Sequence, residues 1–235
     1  MLVRGGALTD DGYARLEAER THLLESGRDR ILRRHPGLTV TLRLAPTDPG
    51  HALVEAGEEA GMVVVGARGI GGFDRLLLGS VSLHTAAHAR CPVVIIPVGH
   101  RPSDDRRIVL GVDEVHAARA ATGWAFAEAD RRGVPLVALH GVDGFGAPGQ
   151  RVGELTELAE ALAGWTPEYP DLKVTHEASP AGAARALIEA SEHAALVVVG
   201  ARRRRSGIGM ALGRVNHAVI HHARCPVAIV PEQDS

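Results

Sequence analysis

Three glycines and a serine, Gly66, Gly69, Gly79 and Ser80, raise the first chemical question in this chain. They fall within GARGIGGFDRLLLGSVS, residues 66–82, directly after the apolar run VVV. A glycine lets the backbone turn tightly and approach a ligand closely, because no Cβ stands in the way. The last pair opens VSLHTAAHAR, which reads as a helix with Ser80 or Ser82 as its capping hydroxyl. Amide N–H groups at a helix start, with the positive end of the helix dipole behind them, suit a phosphate. The spacing therefore offers anion binding. The competing reading gives the same glycines to turns and to close helix–sheet packing.

Other chemistries find less support. The sequence has no Gly-x-Ser-x-Gly elbow, no Ser-His-Asp order and no HExxH, and no Walker lysine follows the glycines. Asp74 in the loop and Asp113 after a later strand are acidic groups able to hold Mg²⁺ beside phosphates. His84, His88 and Cys91 follow H-x3-H-x2-C, and His217, His221, His222 and Cys225 cluster likewise. Residues four apart share a helix face, so a metal site is conceivable. Each Cys, however, directly precedes Pro and opens a strand, beyond the helix end. Helix-end histidines that cap carbonyls or face solvent are the preferred reading, with no metal. Nothing pairs a nucleophile with a base, so a non-enzymatic protein is expected, with slow ATP hydrolysis left open.

The elements that must hold this loop occur twice. At an offset of 134, residues 52–97 align with 186–231 without a gap, and 23 of the 46 positions are identical. Leu38–Arg43 (LTVTLR) falls on Leu172–Glu177 (LKVTHE) at the same offset. Two homologous domains follow, residues 1–100 and 106–235, joined near RPSDDRR. The second is the fuller. Its apolar runs IVLGV, PLVALHGV, LKVTHEA, ALVVVGA and CPVAIVP read as strands. They alternate with amphipathic stretches that read as helices, the first of them stopping at Gly133. That alternation indicates a parallel sheet covered on both faces. In the first copy the opening strand and helix would map before Met1, while MLVRGGAL matches the second strand. A mis-assigned start codon, a true truncation and completion by a partner chain are all open, the first two being favoured by that remnant. Open strand edges are the expected consequence.

The second copy also alters the loop. It reads GARRRRSGIGMALGRVN, keeping Gly200 and Gly213 but placing Arg203 at the second glycine and Arg214 at the serine. Arg203 brings a Cβ where close approach is needed, and Arg214 removes the hydroxyl, with Asn216 able to cap one turn later. The run Arg202–Arg205 either attracts phosphate by charge or is a solvated basic loop.

Composition narrows the class. Of 235 residues 45% are hydrophobic but only 3% aromatic, so the core must be aliphatic. A net charge of −2 gives no pull toward nucleic acid or anionic lipid. No apolar run approaches the ~20 residues of a membrane span, and no signal peptide is evident, so the cytoplasm is expected. The two Cys, Cys91 and Cys225, sit in the same phrase ARCPV and read as small core residues rather than a disulfide.

On GVDEVHAARAATGWAFAEADRRG, VVVGARG, LLLGSVS and the repeated ARCPV, the chain resembles the universal stress protein family in its tandem form. The resemblance implies two doubly wound parallel five-stranded sheets, order 3-2-1-4-5, with the first copy lacking its first strand and helix. Nucleotide-binding members share G-x2-G-x9-G-(S/T), which the first copy matches in full. In its complete form the first copy is thus implied to bind ATP, with Gly66, Arg68, Gly69, Gly79, Ser80, Val81 and Ser82 around the phosphates; the adenine and ribose contacts that the family takes partly from the loop after the first strand have no counterpart in this copy. In the second copy Asp113, Gly200 and Gly213 stand at the corresponding site positions, and loss of ordinary ATP binding is expected there. The resemblance also implies a stress-response regulatory or scaffold role, and pairing through last strands between the two domains or in a homodimer. The alternatives are an adenine-nucleotide hydrolase or transferase of the same broad fold, and an interaction protein that binds no nucleotide.

Overall fold

Short runs of Val, Ile and Leu bounded by Gly, Pro or Asp form the strands, because β-branched side chains fill a pleated surface well. The computed structural model describes residues 10–67, 79–101, 107–112, 119–141, 153, 155–156, 158–160, 162–201 and 212–232. Two compact units divide the chain, Met1–Asp48 and Pro49–Ser235. The division falls within the first repeat and not at the repeat junction, because strands of both repeats share one sheet.

The first unit contains α1 (Asp10–Arg34), a 25-residue helix rich in Arg and Glu with two arginines in its last turn. Leu38–Arg43 follows it in no strand and is largely exposed. The sequence places a third strand there, and the structure corrects that. In the second repeat the matching strand reaches the sheet only through two neighbours, and the described residues of the first repeat supply neither.

In the second unit, α2 (Pro49–Ala56) opens on a proline, whose missing N–H costs nothing at a first helical position. It is followed by β1 (Val63–Gly66), α3 (Ser80–His88) and β2 (Val93–Ile96). The second repeat contributes β3 (Ile108–Val112), α4 (Arg119–Arg132), β4 (Leu136–Gly141) and β5 (Val174–Ser179). It continues with α5 (Ala183–Ala190), β6 (Leu196–Ala201), α6 (Arg214–His222) and β7 (Val227–Pro231). Helical residues between 153 and 162 bury Leu158 and Leu162. Gly133 ends α4 at φ +63°, the left-handed conformation glycine adopts at no steric cost.

The described strands form one seven-stranded sheet, order β1-β2-β7-β6-β3-β4-β5. Reading back from β5, the second repeat gives β5-β4-β3-β6-β7, the 3-2-1-4-5 order, parallel throughout. The first repeat contributes β1 and β2, also parallel. The two ARCPV strands lie side by side and antiparallel, with Val93 opposite Ile229 and Ile95 opposite Val227. This pairing of the last strands, expected between the two domains, joins the described strands of both repeats into one sheet. Both last strands then have a neighbour on each side, so neither offers an open edge for pairing with a second copy.

Two hydrophobic cores sandwich the sheet. One combines Val63, Ala86, Val93 and Ile95 from the first repeat with Val197, Val219 and Ile229 from the second. The other packs α4, through Ala121, Ala125 and Phe126, against Ile108, Leu110, Val198 and Ala228. β1 is the outer strand, and on that second face its Val64 is 56% exposed, whereas its repeat equivalent Val198 is fully covered.

Candidate functional site

β1 ends at Gly66, and α3 begins after Gly79, so the glycine loop springs from the carboxyl end of a parallel strand, where open α/β sheets bind ligands. Arg68, Gly69 and Asp74 lie outside the described residues, as do Asp113 and Arg202–Arg205 of the second repeat. The two ends of the loop are described, and they are held together. The Gly79 N–H donates to Ala67 O at 2.7 Å, and the Ser82 hydroxyl donates to Gly66 O at 2.6 Å. Ser82 is buried; Gly66 and Ser80 are exposed.

This geometry corrects the capping expectation. The N-cap of α3 is Gly79, in extended conformation (φ −74°, ψ 146°), without a side-chain cap hydrogen bond. Ser82 reaches back to the strand end instead. The amide of Gly79, expected to face a ligand, is spent on Ala67. The helix ladder begins with Leu83 N–H to Gly79 O at 3.1 Å, so the amides of Ser80, Val81 and Ser82 precede its first rung. Those three amides, at the positive end of α3, are the donor set that fits a phosphate.

The second repeat builds the same corner with other residues. Gly213 is the N-cap of α6 (φ −59°, ψ 163°), again without a side-chain cap. Asn216, expected to cap, donates its Nδ2 to Gly200 O at 2.9 Å and is buried. Arg214, at the place of Ser80, is exposed. The Ala201 carbonyl, equivalent to that of Ala67, accepts from Glu232 N–H at 3.0 Å, because β7 continues further than β2. The Glu232 carboxylate in turn accepts a long hydrogen bond from Ala120 N–H at 3.4 Å, close to the start of α4.

Neither Gly79 nor Gly213 adopts a positive φ. Among the described residues a Cβ built on Gly213 meets no atom within 4 Å, so neither backbone conformation nor packing against them calls for glycine at that position. Gly141 is the contrast: its Cβ would run into the Ala183 backbone, so glycine is required there for packing at the start of α5.

The histidine and cysteine clusters do not converge on a metal. His84 and His88 stack with ring centroids 4.2 Å apart at 25°, and His51 tilts against His84 at 4.6 Å. His217 and His221 stack at 4.7 Å. Burial pushes the His221 imidazole below its ordinary pKa, and His217 and His222 add to the shift. Cys91 and Cys225 are free and buried. Burial raises the Cys91 thiol and pushes Cys225 up to about 12. Among the described residues no three His, Cys, Asp or Glu side chains form a metal-binding group, and no helix is long and apolar enough to cross a membrane.

A doubly wound α/β sheet with a glycine-bounded loop between a strand end and a helix start defines a class of small-ligand-binding folds. The family model of the universal stress protein family matches residues 4–97 and 105–231. A universal stress protein of Mycolicibacterium smegmatis is 40% identical over 204 residues, covering 83% of this chain and 69% of that one. Universal stress protein Rv2623 of Mycobacterium tuberculosis is 41% identical over 207 residues, with the same two coverages. The crystal structure of a universal stress protein from Archaeoglobus fulgidus superposes with a TM-score of 0.74 at 20% identity, over 97% of this chain and 84% of that one. That last likeness establishes the fold. The chain belongs to the universal stress protein family.

Proposed function

We propose that this protein is a nucleotide-responsive regulatory module of the stress response, acting by binding and not by turnover. The loop leaving β1 receives the phosphates of an adenine nucleotide, ATP with its Mg²⁺, at the amides of Ser80, Val81 and Ser82. One observation carries the reading: the two ends of the glycine loop are tied together by Gly79 N–H to Ala67 O and Ser82 hydroxyl to Gly66 O, and the amides of Ser80, Val81 and Ser82 stand ahead of the first rung of α3 at the carboxyl end of β1. The first repeat joins that geometry to a serine and a fully matching glycine pattern; the second has Arg214 in place of the serine, and ordinary nucleotide binding is assigned to the first repeat alone. The cytoplasm is the proposed location, and the proposed output is a nucleotide-dependent change in what the protein binds.

The test begins with the purified full chain, denatured to release any bound nucleotide for mass spectrometry and then titrated with Mg·ATP by calorimetry. Gly69→Arg, which writes the second repeat's residue into the first, is expected to abolish binding. Unchanged affinity in that variant refutes the site. Release of phosphate or AMP from ATP well above background would favour the hydrolase or transferase reading instead. Absence of any nucleotide uptake by the wild-type chain would leave the interaction-protein reading.

A further inference from the structure

Ser82 and Asn216 stand at the same repeat position, sixteen residues after Gly66 and Gly200. They differ in length, shape and chemistry. Yet each is buried, and each donates to the carbonyl of its glycine, at 2.6 Å for the hydroxyl and 2.9 Å for the amide. Around the shared glycine N-cap other contacts differ: the serine at 80 becomes Arg214, and the Ala67 carbonyl accepts from Gly79 while that of Ala201 accepts from Glu232. Donation to the strand-end carbonyl is kept although the side chain that makes it changes. We propose that Ser82 is a positioning residue of the phosphate loop, a strap whose hydroxyl fixes the helix start to the strand end and does not itself donate to the ligand. The inference rests on the nucleotide reading above for its effect on affinity, while the strap itself is independent of that reading.

The chemistry is restrictive. A serine hydroxyl has one proton, and here it is committed to Gly66 O. Donating it to a phosphate oxygen would release a part-buried carbonyl from its partner, which is costly. The bond from Gly79 N–H to Ala67 O lies beside the strap, so two adjacent bonds set the distance between the two ends of the loop. With that distance fixed, the amides of Ser80, Val81 and Ser82 hold their directions before a ligand arrives, and binding loses less entropy in ordering them. Removing the strap leaves the amides in place but no longer aimed.

The experiment uses the full chain as wild type, Ser82→Ala and Ser82→Asn, with Asn216→Ser and Asn216→Ala as the mirror pair. Mg·ATP affinity is read by calorimetry, and amide exchange by NMR or mass spectrometry at Gly79 and at His217, whose N–H donates to Gly213 O as the first rung of α6. Ser82→Ala is expected to weaken Mg·ATP about tenfold, the scale of one lost hydrogen bond, and to speed exchange at Gly79. Ser82→Asn is expected to restore both, as the second repeat's own solution. Asn216→Ser should leave exchange at His217 unchanged where Asn216→Ala speeds it. Wild-type affinity and exchange in Ser82→Ala overturn the strap. So does a folded Ser82→Asn that binds as poorly as Ser82→Ala, since the ligand would then need the hydroxyl itself. If the wild-type chain takes up no Mg·ATP, the nucleotide reading fails, and the exchange rates alone decide: fast in alanine and slow in asparagine supports the strap, equal rates overturn it. Should Ser82→Ala not fold, exchange at His217 in the Asn216 pair decides by the same criterion.

Discussion

Two residues that invite a chemical reading, Cys91 and Cys225, owe their character to packing. Cys91 lies against the helix end at Gly57, where an added Cβ would come within 3.2 Å of its sulfur. Cys225 is 2% exposed, and burial holds its thiol up to about 12. A thiolate is the reactive form, so neither sulfur should react with a thiol reagent such as 5,5′-dithiobis(2-nitrobenzoate) in the native chain. Both should react after unfolding in guanidinium; rapid labelling of even one under native conditions contradicts this burial. The linkage has a definite sign. Each folded pKa is raised, so the native state favours the protonated thiol, and stability is fully present below the ordinary value of 9.0. It declines as pH rises from there through about 12, a fall that Cys225→Ala should reduce in alkaline denaturant melts. At this scale the sequence was legible for the cysteines, whose repeated ARCPV setting marked them as core, but not for Ser82 and Asn216. Serine and asparagine at a helix start ordinarily cap it. Here a strand-end carbonyl sixteen residues earlier is the acceptor, and no local pattern announces a partner that distant.

The elements of the second repeat could be read almost end to end, because each apolar run sits between a turn residue and an amphipathic stretch and has neighbours to pair with. LTVTLR has the same alternation but forms no strand, since alternation specifies a face and pairing must come from elsewhere. β1 and β6 turn this contrast into a measurement. Both read VVVGA, but β1 is the outer strand and β6 lies between β7 and β3 beneath α4, so the central valines differ in cover: Val64 is 56% exposed and Val198 is 0% exposed. Val198→Ala removes two buried carbons beneath α4 and should cost about 2 kcal/mol, counting transfer and cavity together. Val64→Ala should stay within about 0.5 kcal/mol, as surface substitutions do. Paired urea melts of the full chain give both values. Equal losses would mean that the outer face of β1 is covered in solution. The repeated sequence alone could not distinguish the two valines, because identical residues acquire different environments only once the layers are assembled.

At the scale of the molecule, the sequence shows two repeats where packing shows a continuous sheet, and the reason lies in the junction. β2 meets β7 over three residue pairs, Val93–Ile95 against Val227–Ile229. Through them the core beneath α3 merges with the core beneath α6, while Val94 joins the cluster under α4 on the other face. The dependence is unequal. Residues 107–235 hold five strands and helices on both faces, enough to bury a core without help. The described residues of 49–101 hold two strands, and two strands are marginal in water even with a helix against them. Produced separately, 107–235 should therefore give a dispersed NMR spectrum and a cooperative melt, at a lower midpoint than the full chain because β7 gains an open edge. Residues 49–101 should remain unfolded alone and acquire structure when 107–235 is added, since β7 supplies the pairing edge and Val227 and Ile229 the missing core. A cooperative melt of 49–101 by itself would show that the first repeat's contribution is self-sufficient, and that the continuous sheet joins two folded pieces instead of completing one.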